Sequence, residues 1–328
     1  MAKSKPAKLG TSDIQAKILE AHGRIQDQII RTPLVHSPAL SQELGARIFI
    51  KWESDQKTGS FKLRGALNKL RSLTVGQKRS GVVSASTGNH GLALSYAARL
   101  EGVPLTLFLP ENAVQEKVRK IEEYGVELKF HGRSCEQAEI HARRVASESG
   151  RIYISPYNDL DIICGQGTIG IEIFEDLPDV TDVLVPVGGG GLIAGIGIYL
   201  KSKKPSLKIW GVEPRNSAFM KASLAAGRLV EIQEKPTLAD AVAGGIEPGA
   251  VTFPLCQAHV DGMIAVGESG LRKAIRWLYE VHAKTVEAAG ALPLAGVMKA
   301  SSRFRGRKVV LVVSGGNIAE NDFARLFQ

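Results

Sequence analysis

Lys62 stands in KTGSFKLRGA (residues 57–66), between an aromatic and a leucine and just behind a Thr-Gly-Ser turn. Two environments suit such a lysine. On the outer face of an amphipathic helix it is a solvated surface charge. In a semi-apolar pocket, desolvation disfavours the ammonium, lowers its pKa and leaves a neutral amine that can act as nucleophile or base. The second reading needs partners elsewhere in the chain, and three glycine-rich stretches offer them. PVGGGGLIAGI sets Gly188, Gly189, Gly190 and Gly191 ahead of Leu192. SASTGNHG carries Ser86, Thr87, Gly88, Asn89 and His90. VVSGGN presents a hydroxyl, Ser314.

Each stretch has its own chemistry. Four glycines before a helix leave backbone N–H groups bare at its N-terminus, which attracts phosphate. Two ligands fit that turn. Gly189, Gly191 and Ala194 satisfy G-x-G-x-x-A, and Glu213 ends the following strand-like run, the pattern of a dinucleotide site. The other ligand is a single phosphate monoester. The place of the turn past the middle of the chain favours the monoester, as do a lysine and two further glycine loops that hydride transfer does not require. The backbone amides of SASTGNHG, with the Ser and Thr hydroxyls, suit a carboxylate. The Asn89 amide can donate to a phenolic oxygen. His90 fits either a bracing role or proton transfer. Ser314 in isolation is a turn residue.

The elements that must position these loops alternate. ARIFIKW, GVVSAS, PLTLFLP, VELKF, RIYIS, DVLVPV, LKIWGVE and KVVLVV read as strands, separated by helical patterns such as NAVQEKVRKIEEYG. This rhythm predicts an α/β fold of parallel sheets with helices on both faces, ligands lying at strand C-termini. Ser60 is the expected N-cap of the helix that carries Lys62. Residues 79–158 form a β-α-β-α-β block of their own. The expected organisation is therefore a small domain, 79–158, inserted in a large one, 1–78 and 159–328.

Bulk properties narrow the partners. The chain has 328 residues, 44% hydrophobic, with a net charge of +9. Aromatics make up 6% and the basic residues are scattered, so a nucleic-acid groove is not expected. No apolar run approaches the ~18 residues of a membrane span, and MAKSKPAKLGTSD lacks a secretory apolar core. Cys135, Cys164 and Cys256 form no CxxC, which suits a reducing cytoplasm. His131, Cys135 and His141 match no metal-ligand spacing, and no metal is expected. The mild positive charge suits anionic small molecules.

A lysine, a phosphate cradle, a carboxylate loop, an asparagine and a hydroxyl together match the needs of one small cofactor, pyridoxal 5′-phosphate (PLP). In the same order, GSFKLRGA, STGNHG, GQGTIGIEI, PVGGGGLIAGI, TLADAVA, VEAAGAL and SGGN resemble the fold-type II, tryptophan synthase β-like PLP enzymes, within them the threonine dehydratase and serine racemase group. The resemblance runs from RTPLVHS to SGGNIAE. It implies a two-lobed fold-type II architecture and a homo-oligomer, a dimer or tetramer. It implies that Lys62 forms a Schiff base with PLP, that Phe61 packs beside the ring, and that Asn89 binds the 3-hydroxyl. Gly188 to Gly191 with Leu192 would hold the phosphate, Ser314 would face the ring nitrogen, and Glu287 would lie near the ring. Ser86, Thr87, Gly88, Asn89 and His90 would bind the substrate carboxylate.

A serine at the ring nitrogen stabilises a pyridinium less than a carboxylate does, so loss of a β-substituent suits the site better than transamination. The activity implied is dehydration and deamination of a β-hydroxy amino acid, L-threonine and L-serine first. The alternatives are 3-hydroxyaspartate, a hydroxyectoine-related compound, or serine racemisation. Thr87 stands where serine racemases carry a serine that acts as acid and base, which disfavours racemisation. VEPRNSAFMKA has Ala218 and Phe219 where cation-binding relatives place an acidic residue. The chain continues eleven residues past Asn317, so no regulatory domain and no isoleucine feedback are expected.

Overall fold

A computed structural model describes residues 10–326. In chain order it contains α1 (Thr11–Ile25), β1 (Leu34–His36), α2 (Pro38–Leu44), β2 (Arg47–Trp52), α3 (Lys62–Ser72), α4 (Val75–Ser80), β3 (Val82–Ala85), α5 (Asn89–Glu101), β4 (Leu105–Leu109), α6 (Gln115–Glu122), β5 (Glu127–Phe130), α7 (Cys135–Ser149) and β6 (Ile152–Tyr153). It continues through α8 (Leu160–Asp176), β7 (Asp182–Pro186), α9 (Gly191–Lys203), β8 (Lys208–Pro214), α10 (Phe219–Ala226), α11 (Thr252–His259), β9 (Gly262–Val266), α12 (Glu268–His282), α13 (Ala288–Lys299), α14 (Ser301–Phe304), β10 (Lys308–Val313) and α15 (Glu320–Arg325).

The strands form two sheets. The larger runs β1-β2-β10-β7-β8-β9, parallel throughout except for β1, which is antiparallel to β2. The smaller runs β5-β4-β3-β6 and is all parallel. Parallel strands are covered on both faces, so they read as unbroken apolar runs. In β10, Val309, Leu311 and Val313 enter one core with α12 and α13, while Val310 and Val312 enter another with α1, α8 and α9. That alternation is the two-residue period of a strand expressed between two helical layers. The smaller sheet repeats the plan: Val82, Leu105 and Leu107 pack with α3 and α5, and Val83, Ala85 and Phe108 with α7. Helix α3 thus buries its apolar face against the smaller sheet while following directly on β2 of the larger one, so Lys62 stands at their junction.

All eight expected strands are present. The sequence reading missed β1 and β9, the two edges of the larger sheet. β1 is three residues long and mostly exposed, and β9, though apolar throughout (GMIAV), is a short run that periodicity alone does not assign to a strand. Ser60 is not the N-cap of α3. That place belongs to Phe61, with no side-chain hydrogen bond, while Ser60 pairs with Gly315 in an isolated antiparallel bridge. The tie to the SGGN loop takes the serine away from the helix end.

Candidate active site

Strands β2, β10 and β7 are adjacent and parallel, so the loops behind them emerge side by side on one edge of the sheet. Those loops carry Lys62, Ser314 and the four glycines. The Phe61 N–H donates to the Ser314 carbonyl (3.0 Å), which joins the first two loops directly.

Lys62 opens α3. The residue is half-buried, yet its amine is deeply enclosed and donates to the Pro156 carbonyl (2.9 Å). The Phe61 ring lies 5.1 Å from Nζ. No carboxylate pairs with the amine among the described residues. Burial pushes its pKa down from 10.5 to about 8, against a partial pull upward from Glu287.

The residue after Pro156 reaches the glycine loop. A Cβ on Gly189 would lie 2.3 Å from the Tyr157 ring, and one on Gly190, where φ is +87°, would lie 2.7 Å from Met220 Cε. Side chains are therefore excluded and backbone is bared. The first N–H of α9 to bond back is that of Ala194, to the Gly190 carbonyl (3.0 Å). The amides of Gly191, Leu192 and Ile193 have no partner within the helix. Beneath the loop, Thr252 keeps a buried hydroxyl without a partner.

The third loop comes from the smaller sheet. Gly88 N–H donates to Ser86 Oγ (3.2 Å), Thr87 is half-buried, and Gly88 caps α5. Leu92 N–H is the first to bond back, leaving the amides of Asn89, His90 and Gly91 open. Asn89 Nδ2 donates to both oxygens of Glu287 (2.8 and 2.9 Å), and Asn89 Oδ1 accepts from Asn317 Nδ2 (2.8 Å). Glu287 is buried at the N-cap of α13, and burial raises its carboxyl from 4.5 to about 7. The His90 ring is turned away, against Ser84 Oγ (3.2 Å) and the Ile154 carbonyl. Burial, with the positive charge of Lys62, depresses its pKa to about 3, so the ring stays neutral. Of the two roles open to His90, this geometry is that of a brace.

Three features were missed from sequence. Tyr157 covers the glycine loop, and Asn317 touches Asn89. Behind α3, Arg64 meets Glu53 (Nε–Oε2 2.8 Å) and Glu172 (Nη1–Oε1 2.6 Å), and Lys51 meets Glu172 (2.5 Å), all of them fully buried. Charged residues inside the apolar runs IFIKWE and GIEIF were the available signal for this quartet. Glu213, which a dinucleotide would need for its ribose, is taken instead. Its carboxylate accepts the Met220 and Lys221 N–H groups (2.9 and 2.8 Å) at the start of α10. Among the described residues no cluster of three or more His, Cys, Asp or Glu could hold a metal.

A profile of the family described as "Pyridoxal-phosphate dependent enzyme" matches residues 25–315. The chain belongs to this pyridoxal-phosphate dependent enzyme family. Its residues fit the cofactor: an enclosed amine without a counter-ion, a side-chain-free loop over open helix amides, and a polar wall of half-buried Asn89 with buried Glu287 and Ser314. The chain is 42% identical over 309 residues to the L-threonine ammonia-lyase of Thermotoga maritima, covering 94% of this chain and 77% of that one. The processed form of threonine deaminase isoform 2 from Solanum lycopersicum superposes with a TM-score of 0.92 at 32% identity, over 98% of this chain and 94% of that one. Maize serine racemase superposes at 0.89 and 34% identity, covering 95% and 96%.

Proposed function

We propose that this PLP-dependent enzyme eliminates water from a β-hydroxy amino acid, L-threonine first and L-serine second, and that hydrolysis of the released enamine by water then gives a 2-oxo acid and ammonia. The observation that carries this reading is the Lys62 amine, buried without a counter-ion between the glycine loop and the Asn89–Glu287 pair. The threonine ammonia-lyase and threonine deaminase relatives support the substrate class.

When bound, PLP supplies an electron sink that acidifies the α-proton of an amino acid and lets a β-substituent leave. Lys62 would hold the cofactor aldehyde, and its amine is placed to take the proton from Cα of the substrate. Gly188 to Gly191 and the Leu192 amide would hold the phosphate at the start of α9. Ser314 would offer its hydroxyl to the ring nitrogen, Phe61 would pack beside the ring, and Asn89 with Glu287 would meet the ring hydroxyl. The open amides at the start of α5, with Ser86, Thr87 and Gly88, orient the substrate carboxylate, which fixes the Cα–H bond toward Lys62. His90 takes part through its backbone amide, its ring holding the loop.

The lobes in this reading are 79–158 and the remainder, with substrate entering between them, and the functional unit is a homo-oligomer in the cytoplasm. The three cysteines are unpaired, in keeping with a reducing compartment. The test is 2-oxo acid release by the PLP-loaded protein from L-threonine, L-serine, D-serine, threo-3-hydroxyaspartate and hydroxyectoine, with Lys62→Ala as control. Rapid 2-oxobutyrate formation from L-threonine is expected. A yellow, PLP-bound protein silent on threonine and serine would move the substrate to the other hydroxylated compounds, and conversion of L- to D-serine would make it a racemase.

A further inference from the structure

We propose that Asn317 is a positioning residue that sets which face of the Asn89 amide points into the site. The inference rests on the PLP reading above, and it concerns a residue outside the loops that carry the lysine, the phosphate cradle and the carboxylate site. A primary amide can turn by half a rotation and exchange donor for acceptor with little change in shape. An asparagine that must donate therefore needs a neighbour whose own polarity is settled.

Asn317 has that property. Its Nδ2 donates to the Thr58 carbonyl at 2.8 Å, and a backbone carbonyl only accepts. The amino group of Asn317 is thereby committed to this side. Its second N–H reaches Asn89 Oδ1, also at 2.8 Å. Asn89 must then present its carbonyl to Asn317 and its amino group to Glu287 and the site. Donor polarity runs one way, from Asn317 through Asn89 to Glu287, anchored by an obligatory acceptor at the start and a carboxyl group at the end.

The surrounding backbone is shaped to admit this side chain. Gly59 has φ +69°, and a Cβ there would sit 2.4 Å from Asn317 Oδ1. Gly316 N–H donates to the Gly59 carbonyl (2.9 Å), holding the SGGN loop against the Thr-Gly-Ser turn. The turn that precedes Lys62 thus sets the orientation of the asparagine across the site. This gives Thr58-Gly59 a part in the site beyond turning the chain.

The test compares Asn317→Asp with Asn317→Ala in the full-length protein. Aspartate has nearly the same shape but supplies only acceptors, so it repels the Thr58 carbonyl and draws the Asn89 amino group toward itself. Alanine removes the donors and imposes no reversal, leaving Asn89 oriented by Glu287 alone. The charged groups near Glu287, namely Lys62, Lys117 and Asp240, are the same in every protein compared. Three readouts are taken: the PLP dissociation constant, the pH at which the visible band of the loaded protein titrates, and the melting temperature of the apo-protein.

Asn317→Ala is expected to weaken PLP binding by about three- to tenfold, the effect of one lost hydrogen bond, with little movement of the band titration. Asn317→Asp is expected to weaken it further and to move the titration by about one pH unit or more, because a donor beside the ring has become an acceptor. A purely structural asparagine would lower the melting temperature in both variants and leave the titration of the loaded fraction in place. That result would overturn the proposal. So would an alanine variant with unchanged PLP affinity, which serves as the deciding measurement if the aspartate variant does not fold. A wild-type protein that forms no visible band with PLP would instead refute the cofactor reading itself.

Discussion

Two cations stand two residues apart on α3 and meet opposite fates. Side chains at i and i+2 of a helix project about 200° apart, so Lys62 faces the site and Arg64 faces the interior. Both are surrounded by protein. Arg64 is met by Glu53 and Glu172, and its pKa is held above the usual arginine range by those carboxylates despite its burial. Lys62 is met by a carbonyl and an aromatic ring, and its pKa falls to about 8. Pairing keeps a buried cation charged and inert, while burial without a partner leaves an amine available for chemistry. The difference is one of neighbours rather than depth.

The largest expected effect removes the reactive side of this comparison. Lys62→Ala should lower 2-oxo acid release on the order of 10³-fold or more, since proton transfer and covalent attachment are lost together. Binding of PLP measured by equilibrium dialysis separates loss of chemistry from loss of cofactor. Next is the inert side. Arg64→Met strands Glu53 and Glu172 with Lys51 as their only remaining cation in the quartet, and breaking a buried pair in this way destabilises by about 3–5 kcal/mol. Urea unfolding of the apo-protein measures it. Restored stability in Arg64→Met combined with Glu53→Gln would attribute the loss to the unpaired charge.

The contrast is sharpened by pH. At pH 7 an amine with a pKa near 8 is about one-tenth neutral, against roughly one in 3000 for an ordinary lysine. The rate at which the apo-protein captures PLP should therefore rise about tenfold per unit up to pH ~8 and level off above it, as followed by the growth of visible absorbance. A rise continuing to pH ~10 would mean that Lys62 is solvated in solution.

The smallest effect concerns a carboxyl away from the site. Burial raises Glu213 from 4.5 to about 7 even though two backbone amides favour its charged form. A carboxyl with a raised native pKa binds more protons in the folded state between those two values. Its contribution to stability is complete below pH ~4.5 and is lost as pH rises through about 7. Glu213→Gln should flatten the fall in melting temperature between about pH 5 and 7, a change on the order of 1–2 kcal/mol. An unchanged slope would assign that fall to Glu287 instead.

What was legible in the sequence follows from local physics. The glycine loop was legible because only glycine leaves helix amides bare beneath Tyr157, and the central strands because two-sided burial makes them continuously apolar. Edge strands β1 and β9 were not: β1 is three mostly exposed residues, and the five apolar residues of β9 are too short a run to tell strand from helix. The burial of Arg64 was not legible, because its partners come from β2's end and α8, more than a hundred residues on in the case of Glu172. Asn317 gave no signal, because an asparagine after two glycines is what any turn would use.

By itself the amino-acid sequence determined the alternation of strands and helices, the three glycine-rich turns at strand ends, and a lysine placed where a helix begins. These depend on backbone freedom and apolar period, which neighbouring residues settle among themselves. Only the tertiary structure decided that Lys62 is unpaired while Arg64 is not, that His90 turns inward, and that Asn317 orients Asn89. Protonation and donor polarity depend on which charges and hydrogen-bonding groups arrive from distant segments, and the parallel crossovers that bring β2, β10 and β7 side by side determine which ones arrive.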